Sequence, residues 1–251
     1  MAVIVITGAS SGLGEALALR LSQPAATMHL VARRGERLEA LSPRIRERGA
    51  TPRLHMADVR NREAMQEVAD RVLEEGGPPD LLIANAGIRG EGDGDSAMAL
   101  EEILATNVLG VAHSLAPFLP SMRQARRGQI VVVGSLAGYR GLPGAGAYCA
   151  SKAALMAWTD SLRLSLEPNG LTVSLVNPGF IVTEMTRKNP YPMPFVMSAD
   201  EAAERIVRGV ERRSPRIEFP LPMVAMVRLL ALLPPRMGDW LLRQSSKEKG
   251  H

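Results

Sequence analysis

Short apolar runs alternate with amphipathic stretches from one end of the chain to the other. Val3–Thr7, Met28–Ala32, Arg53–Ala57, Leu81–Asn85, Gln129–Gly134 and Thr172–Val176 are brief, often β-branched and bounded by turn residues. That pattern predicts strands buried on both faces. Between them, Gly12–Ser22, Glu36–Arg48, Glu63–Glu75, Leu100–Gln124 and Ala147–Glu167 have helical length and spacing. Such regular alternation predicts an α/β fold, a doubly wound parallel sheet of about seven strands with helices on both faces. Two Gly/Pro-rich stretches, 87–95 and 138–146, interrupt the pattern without a change of composition on either side. They read as site loops rather than linkers. With no repeat and no boundary in view, residues 1–251 read as one domain, ending in an apolar segment 219–244 and a polar, disordered tail 245–251.

Composition narrows the function classes. The 251 residues are 46% hydrophobic and 22% charged, ordinary for one large core. No basic leader precedes the first strand and no apolar run reaches the ~20 residues of a membrane span. The expected location is therefore the cytoplasm. One cysteine, Cys149, excludes an intrachain disulfide framework and a cysteine metal cluster. His29, His55 and His113 show no metal-ligand spacing and read as structural. The net charge is +4, and arginines alternate with acids, as in 44–48 and 210–213. Those are solvated helix faces rather than a nucleic-acid stripe.

Chemistry first enters at Thr7-Gly8-Ala9-Ser10-Ser11-Gly12-Leu13-Gly14, which follows the first strand and opens the first helix. Glycines there permit a tight turn and bring backbone N–H groups toward a phosphate at the positive end of the helix dipole. The spacing is Gly-x3-Gly-x-Gly, not the Gly-x-Gly-x2-Gly of the general dinucleotide fingerprint.

This loop resembles that of the short-chain dehydrogenase/reductase family, and the resemblance runs through separated motifs to about Glu218. It implies a Rossmann-type fold and a seat for NAD(P) that includes Gly8, Ser10, Ser11, Gly12, Leu13 and Gly14. The second strand ends in Ala32-Arg33-Arg34. An acidic residue there binds ribose hydroxyls, whereas arginine accommodates a 2′-phosphate. NADP(H) is thus expected over NAD(H), with Arg33 as the contact and Arg34 either a second contact or a surface residue. By resemblance, Asp58 and Val59 flank the adenine, and Asn85-Ala86-Gly87 lines the adenine ribose side. In the turn Pro178-Gly179, followed by Ile181 and Thr183, the last two contact the nicotinamide carboxamide.

Tyr148 and Lys152 stand four apart on one helix face. With Ser135 thirteen residues upstream and Asn107 in the preceding helix, they match the family's catalytic tetrad. A tyrosine with a reference pKa near ~10 is a poor base near neutrality. An ammonium ~4 Å away, at an effective dielectric of ~20, would favour the phenolate by roughly 4 kcal/mol, about three pKa units at most. Ser135 can stabilise charge on the substrate oxygen. The resemblance implies that Asn107 holds a water linking Lys152 to solvent, and that Lys152 contacts the nicotinamide ribose. Ser135 lacks a Gly-x-Ser-x-Gly elbow, which argues against a hydrolase. Cys149 reads as packing.

The expected function is NADP(H)-dependent interconversion of a ketone or aldehyde and an alcohol, on an apolar small molecule. The rivals are an epimerase or dehydratase on the same fold and a non-enzymatic NADP(H)-binding regulator. Glu184–Met197, with three prolines in 190–194, is expected to form a loop or lid, its Tyr191, Met193, Phe195 and Met197 making an apolar pocket wall. Tyr139 and Leu142 are a second candidate wall. The run Met223–Leu233 is apolar on nearly all sides except Arg228. It covers the pocket or the core, forms a subunit interface, or touches a membrane surface. A homo-oligomer, dimer or tetramer, is expected from the resemblance.

Overall fold

The computed structural model describes residues 2–90, 94–187 and 193–247. Seven strands form one sheet: β1 (Val3–Thr7), β2 (Thr27–Ala32), β3 (Thr51–Met56), β4 (Leu81–Ala84), β5 (Gln129–Val133), β6 (Thr172–Pro178) and β7 (Arg216–Phe219). Every pairing is parallel, in the order 3-2-1-4-5-6-7. The expected doubly wound sheet with helices on both faces is borne out. Side-chain alternation explains its two cores. On β1, Ile4 and Ile6 point into one cluster with Leu17, Leu30, Ile83 and Ile206. Val3 and Val5 point into the other, with Leu82, Leu115, Phe118, Val132 and Leu155. Each such side chain contributes about 1.5–3 kcal/mol by leaving water. Pro52 lies in the edge strand β3, where a missing N–H costs least.

The first face is covered by α1 (Gly12–Leu21), α2 (Gly35–Arg46) and α9 (Ala199–Glu211). The second is covered by α3 (Arg62–Gly76), α5 (Gly110–Leu115) and α7 (Gly146–Leu166). A capping box, Ser198 with Glu201, starts α9. The single helix expected over Leu100–Gln124 is instead α4 (Ala97–Leu104), a π-helical turn Ala105–Leu109, α5 and α6 (Leu119–Ala125). Pro120 supplies the break before α6, since it has no N–H to give to a continuing ladder. A short α8 (Glu184–Arg187) follows β6, and α10 (Leu221–Leu232) and α11 (Pro235–Lys247) close the chain. Helix α11 runs through Ser245–Lys247, so disorder does not begin at Ser245, and the rest of the tail lies outside the described residues. Among the described residues no single helix is long and apolar enough to cross a membrane. Ala97–Leu115 and Leu119–Ala125 reach that length only together, across a 41° bend.

Strand order reverses at β1, which lies between β2 and β4, so a crevice opens at the carboxyl ends of the strands there. Further from it, β2 and β3 bury a histidine pair. His29 Nδ1 lies 3.0 Å from His55 Nε2, with the rings stacked. Burial first, and then His55, lowers the His29 pKa from 6.5 to about 4. The unfolded chain therefore binds this proton first. The stability is present above pH 6.5 and is lost as pH falls from 6.5 toward 4, by about 3 kcal/mol in all. Urea unfolding at pH 7.0 and 4.5 is expected to differ by about 2–3 kcal/mol. A flat stability across that range would exclude this role for the pair.

Candidate active site

The turn from β1 into α1 is shaped by contacts only glycine allows. Gly8 and Gly12 have φ of +68° and +55°. A Cβ on Gly14 would lie 2.1 Å from the Gly8 carbonyl oxygen. Asn85, just beyond β4, donates its Nδ2 to Thr7 O at 3.0 Å and Gly8 O at 3.2 Å. The backbone N–H groups of Asn85 and Ala86 both reach Thr7 Oγ1. The Asn-Ala-Gly segment is thus a strut for the glycine loop. A cleft of about 410 Å³ opens above it. Its lining includes all of the expected cofactor positions, from Gly8, Ser10, Ser11, Gly12, Leu13 and Gly14 through Arg33, Arg34, Asp58 and Val59 to Asn85, Ala86 and Gly87. Pro178, Gly179, Ile181 and Thr183 close the opposite bank.

At one end Arg34 reaches over the loop, its Nη2 donating to Ser11 Oγ at 2.7 Å. Arg33 Nη1 stands 3.8 Å from Asp58 Oδ2. Asp58 also takes a bidentate bond from Arg60, which holds its carboxyl below the usual carboxylate range. Spacing alone did not single out Arg37 and Glu184. Glu184 bridges Arg34 and Arg37 across the cleft, at 3.0 and 2.5 Å. The sequence signal was Arg34-x2-Arg37, one helical turn apart.

At the other end Ser135, Tyr148 and Lys152 line the same cleft. Burial pushes the Tyr148 hydroxyl above its ordinary value, and a hydrogen bond with Ser135 only partly offsets this. Ser135 Oγ also accepts from Ala137 N, fixing its direction at the start of a 3₁₀ turn, Leu136–Tyr139. Lys152 is 5% exposed and donates to Val133 O at 2.9 Å. Its Nζ lies 5.7 Å from the Tyr148 ring centre. Here desolvation dominates both groups, raising the tyrosine and lowering the lysine to about 8. Asn107 sits in the π-helical turn, wholly buried. Its Oδ1 accepts from Ile88 N, and its Nδ2 donates to Ile88 O and Ser151 Oγ. The side chain is thus committed to protein partners. Cys149 is buried, and burial pushes its thiol up. Among the described residues no group of three or more His, Cys, Asp or Glu is placed to hold a metal.

The family described as short chain dehydrogenase matches residues 2–192. The chain belongs to the short-chain dehydrogenase/reductase family. It is therefore an oxidoreductase of carbonyl and alcohol groups that works with a nicotinamide cofactor. Over 242 residues it is 37% identical to an uncharacterized oxidoreductase of Myxococcus xanthus, covering 96% of each chain. A short-chain dehydrogenase of Sphingobium yanoikuyae, solved in complex with NADPH, superposes with a TM-score of 0.82 at 29% identity, covering 100% of this chain and 97% of its own. A short chain dehydrogenase/reductase of Burkholderia phymatum, solved with NAD, gives 0.83 at 28% identity, covering 96% and 95%.

The substrate side of this short-chain dehydrogenase/reductase departs from the expected walls. Tyr139 turns away from the cleft, and its hydroxyl donates to Glu218 Oε1 at 2.7 Å. Asn177 donates to the same oxygen, and Arg228 pairs with the other. Met197 is buried in the core, Phe195 is 55% exposed, and Tyr191 lies outside the described residues. Ile88 and Met185 are instead among the apolar side chains that line the cleft. One face of α10 packs Met223 and Val224 on Leu136, with Phe180 and Val227 beside them. Its other face leaves Leu221, Met226, Leu229 and Leu232 exposed. Arg140 ties this region together. Its guanidinium reaches Leu230 O, Pro235 O and Asp239 Oδ1, at 3.2, 3.4 and 2.8 Å.

Proposed function

We propose that this chain is an NADP(H)-dependent reductase or dehydrogenase that interconverts a ketone or aldehyde with its alcohol, with Tyr148 as proton donor and acceptor. The observation that carries the reading is one cleft with Ser135, Tyr148 and Lys152 at one end and guanidinium groups at the other. The residues present fit a phosphorylated dinucleotide. The N-terminus of α1 and the Ser10 and Ser11 hydroxyls suit a diphosphate, and Arg33 and Arg34 suit a 2′-phosphate. Asp58 and Val59 would hold the adenine, Gly87 the adenine ribose side, and Ile181 and Thr183 the carboxamide. When bound, the nicotinamide supplies or accepts the hydride. The two solved relatives were obtained with NADPH and with NAD, so the preference rests on this chain's own arginines.

Tyr148 keeps its proton through neutral pH, which suits donation to a carbonyl oxygen. Ser135 would hydrogen-bond that oxygen and stabilise its growing charge. Lys152 would restore the tyrosine's proton and hold the nicotinamide ribose. With the Asn107 side chain committed, its backbone carbonyl in the π-helical turn is the group left to position a water. Leu136, Phe180 and Met223 near Ser135, with Ile88 and Met185 in the cleft, support an apolar substrate. Exposed Met98, Leu100, Leu109 and Leu164 support a homo-oligomer, and we read the cytoplasm as its place of work.

Steady-state reduction of an aldehyde and ketone panel tests this. kcat/KM with NADPH is expected to exceed that with NADH by about tenfold or more, as one charge-assisted contact allows. With the Lys152 pKa at about 8, the rate should fall as pH rises through that value and the cation is lost. Equal use of the two cofactors would overturn the NADP(H) assignment.

A further inference from the structure

Resting on the NADP(H) reading, we propose that Glu184 is a built-in competitor for the 2′-phosphate seat, and that Arg37 is a further specificity-determining cation of that seat. Glu184 opens α8, directly after Thr183 on the β6 bank of the cleft. Arg34 and Arg37 stand on the β2 bank, at the start of α2. The contact therefore spans the cleft between residues about 150 positions apart in the chain. Its geometry is that of an anion seat already filled. Glu184 Oε2 accepts from Arg34 Nη1 at 3.0 Å, and Oε1 accepts from Arg37 Nη1 at 2.5 Å. The free arm of Arg34, Nη2, reaches Ser11 Oγ at 2.7 Å and Ser10 Oγ at 3.4 Å. Two guanidiniums and two hydroxyls thus converge, and one carboxylate takes a guanidinium arm from each arginine.

The charges make displacement the expected event. Arg37 first, and then Arg34, hold the Glu184 carboxyl below its ordinary range, so it is an anion at working pH. It carries one charge on two oxygens and is solvated. A phosphate brings nearly two charges and three acceptor oxygens to the same planar donors. A nucleotide with a 2′-phosphate takes both arginines from Glu184. One without it leaves Glu184 in place. Thr183 lies against Gly12, where a Cβ would meet its Cγ2 at 3.0 Å, so the two banks also touch beside the ion pairs. The seat favours NADP(H), and its own carboxylate lowers the gain.

Fluorescence titration of the full chain with NADPH and with NADH tests this without turnover, because the two ligands differ only in the 2′-phosphate. The wild-type ratio tests the cofactor reading, and the variants test the competitor. Glu184→Gln is expected to tighten NADPH about 3–10-fold and to leave NADH within twofold. Arg37→Ala is expected to weaken NADPH about tenfold and to leave NADH within twofold. Glu184→Gln without effect, or with equal gains for both ligands, overturns the competitor. Arg37→Ala without a selective loss overturns Arg37 as a cation of the seat. A wild type that binds the two ligands equally overturns the NADP(H) reading itself, and the proposal with it.

Discussion

Replacing Tyr148 by phenylalanine is expected to lower carbonyl turnover by about 10²–10⁴-fold and to leave NADPH affinity nearly unchanged. The substitution removes one oxygen. The ring keeps its place on α7, and the cofactor end of the cleft, with Ser11 and Arg34, is untouched. What disappears is the hydroxyl proton proposed to pass to a substrate oxygen. Lys152 does not replace it, because its ammonium is directed at Val133 O. The folding cost is small. Ser135 Oγ keeps its bond from Ala137 N, so the lost pairing is worth about 1 kcal/mol. Single-turnover rates beside a fluorescence titration separate chemistry from binding. A mutant within tenfold of wild type would remove the tyrosine from the mechanism.

The second large effect is structural and reaches the cofactor. Gly14→Ala places a Cβ 2.1 Å from Gly8 O and 2.6 Å from Asn85 Nδ2. Alanine gains about 1 kcal/mol of helix propensity in α1. Against that stand an overpacking cost of about 1–3 kcal/mol or more and the Asn85 bonds to Thr7 O and Gly8 O, about 1 kcal/mol each. The Gly8 carbonyl is backbone and the Asn85 amide is held by its two bonds to that same loop, so neither gives way freely and the loss wins. Net destabilisation of about 3 kcal/mol is expected, a fall in Tm of roughly 6–12 °C, with at least about tenfold weaker NADPH binding as the loop shifts. Gly141→Ala is the matched control, since a Cβ there meets nothing within 4 Å. Equal Tm values for the two variants would refute the packing argument.

The sheet was legible because its strands bury both faces, and continuous apolar runs mark them. Strand β7 was not, since Arg216-Ile217-Glu218-Phe219 is four residues long and half polar at an edge. The broken helix around Asn107 hides for another reason. A π-helical turn keeps helical composition and shifts only the hydrogen-bond pattern, so periodicity cannot register it. The candidate site was readable where it is local, as in the glycine loop and the Tyr148–Lys152 turn. It was unreadable where partners meet across the fold. Glu184 with Arg37 and Tyr139 with Glu218 are pairings between distant segments that no spacing rule contains. The lysine's direction also escaped, because a helix places Lys152 beside Tyr148 but does not say that Val133 O will claim its ammonium.

Arg140 follows the turn that begins at Ser135, and its side chain is only 17% exposed. Gly238 leaves room for it, since a Cβ there would sit 2.5 Å from the guanidinium carbon. By gripping the end of α10 and the start of α11 at once, this one side chain works as a tie-rod between the last two helices and the turn that begins at Ser135. Changes in α11 are thus expected to be felt, through Arg140, by the segment that follows Ser135.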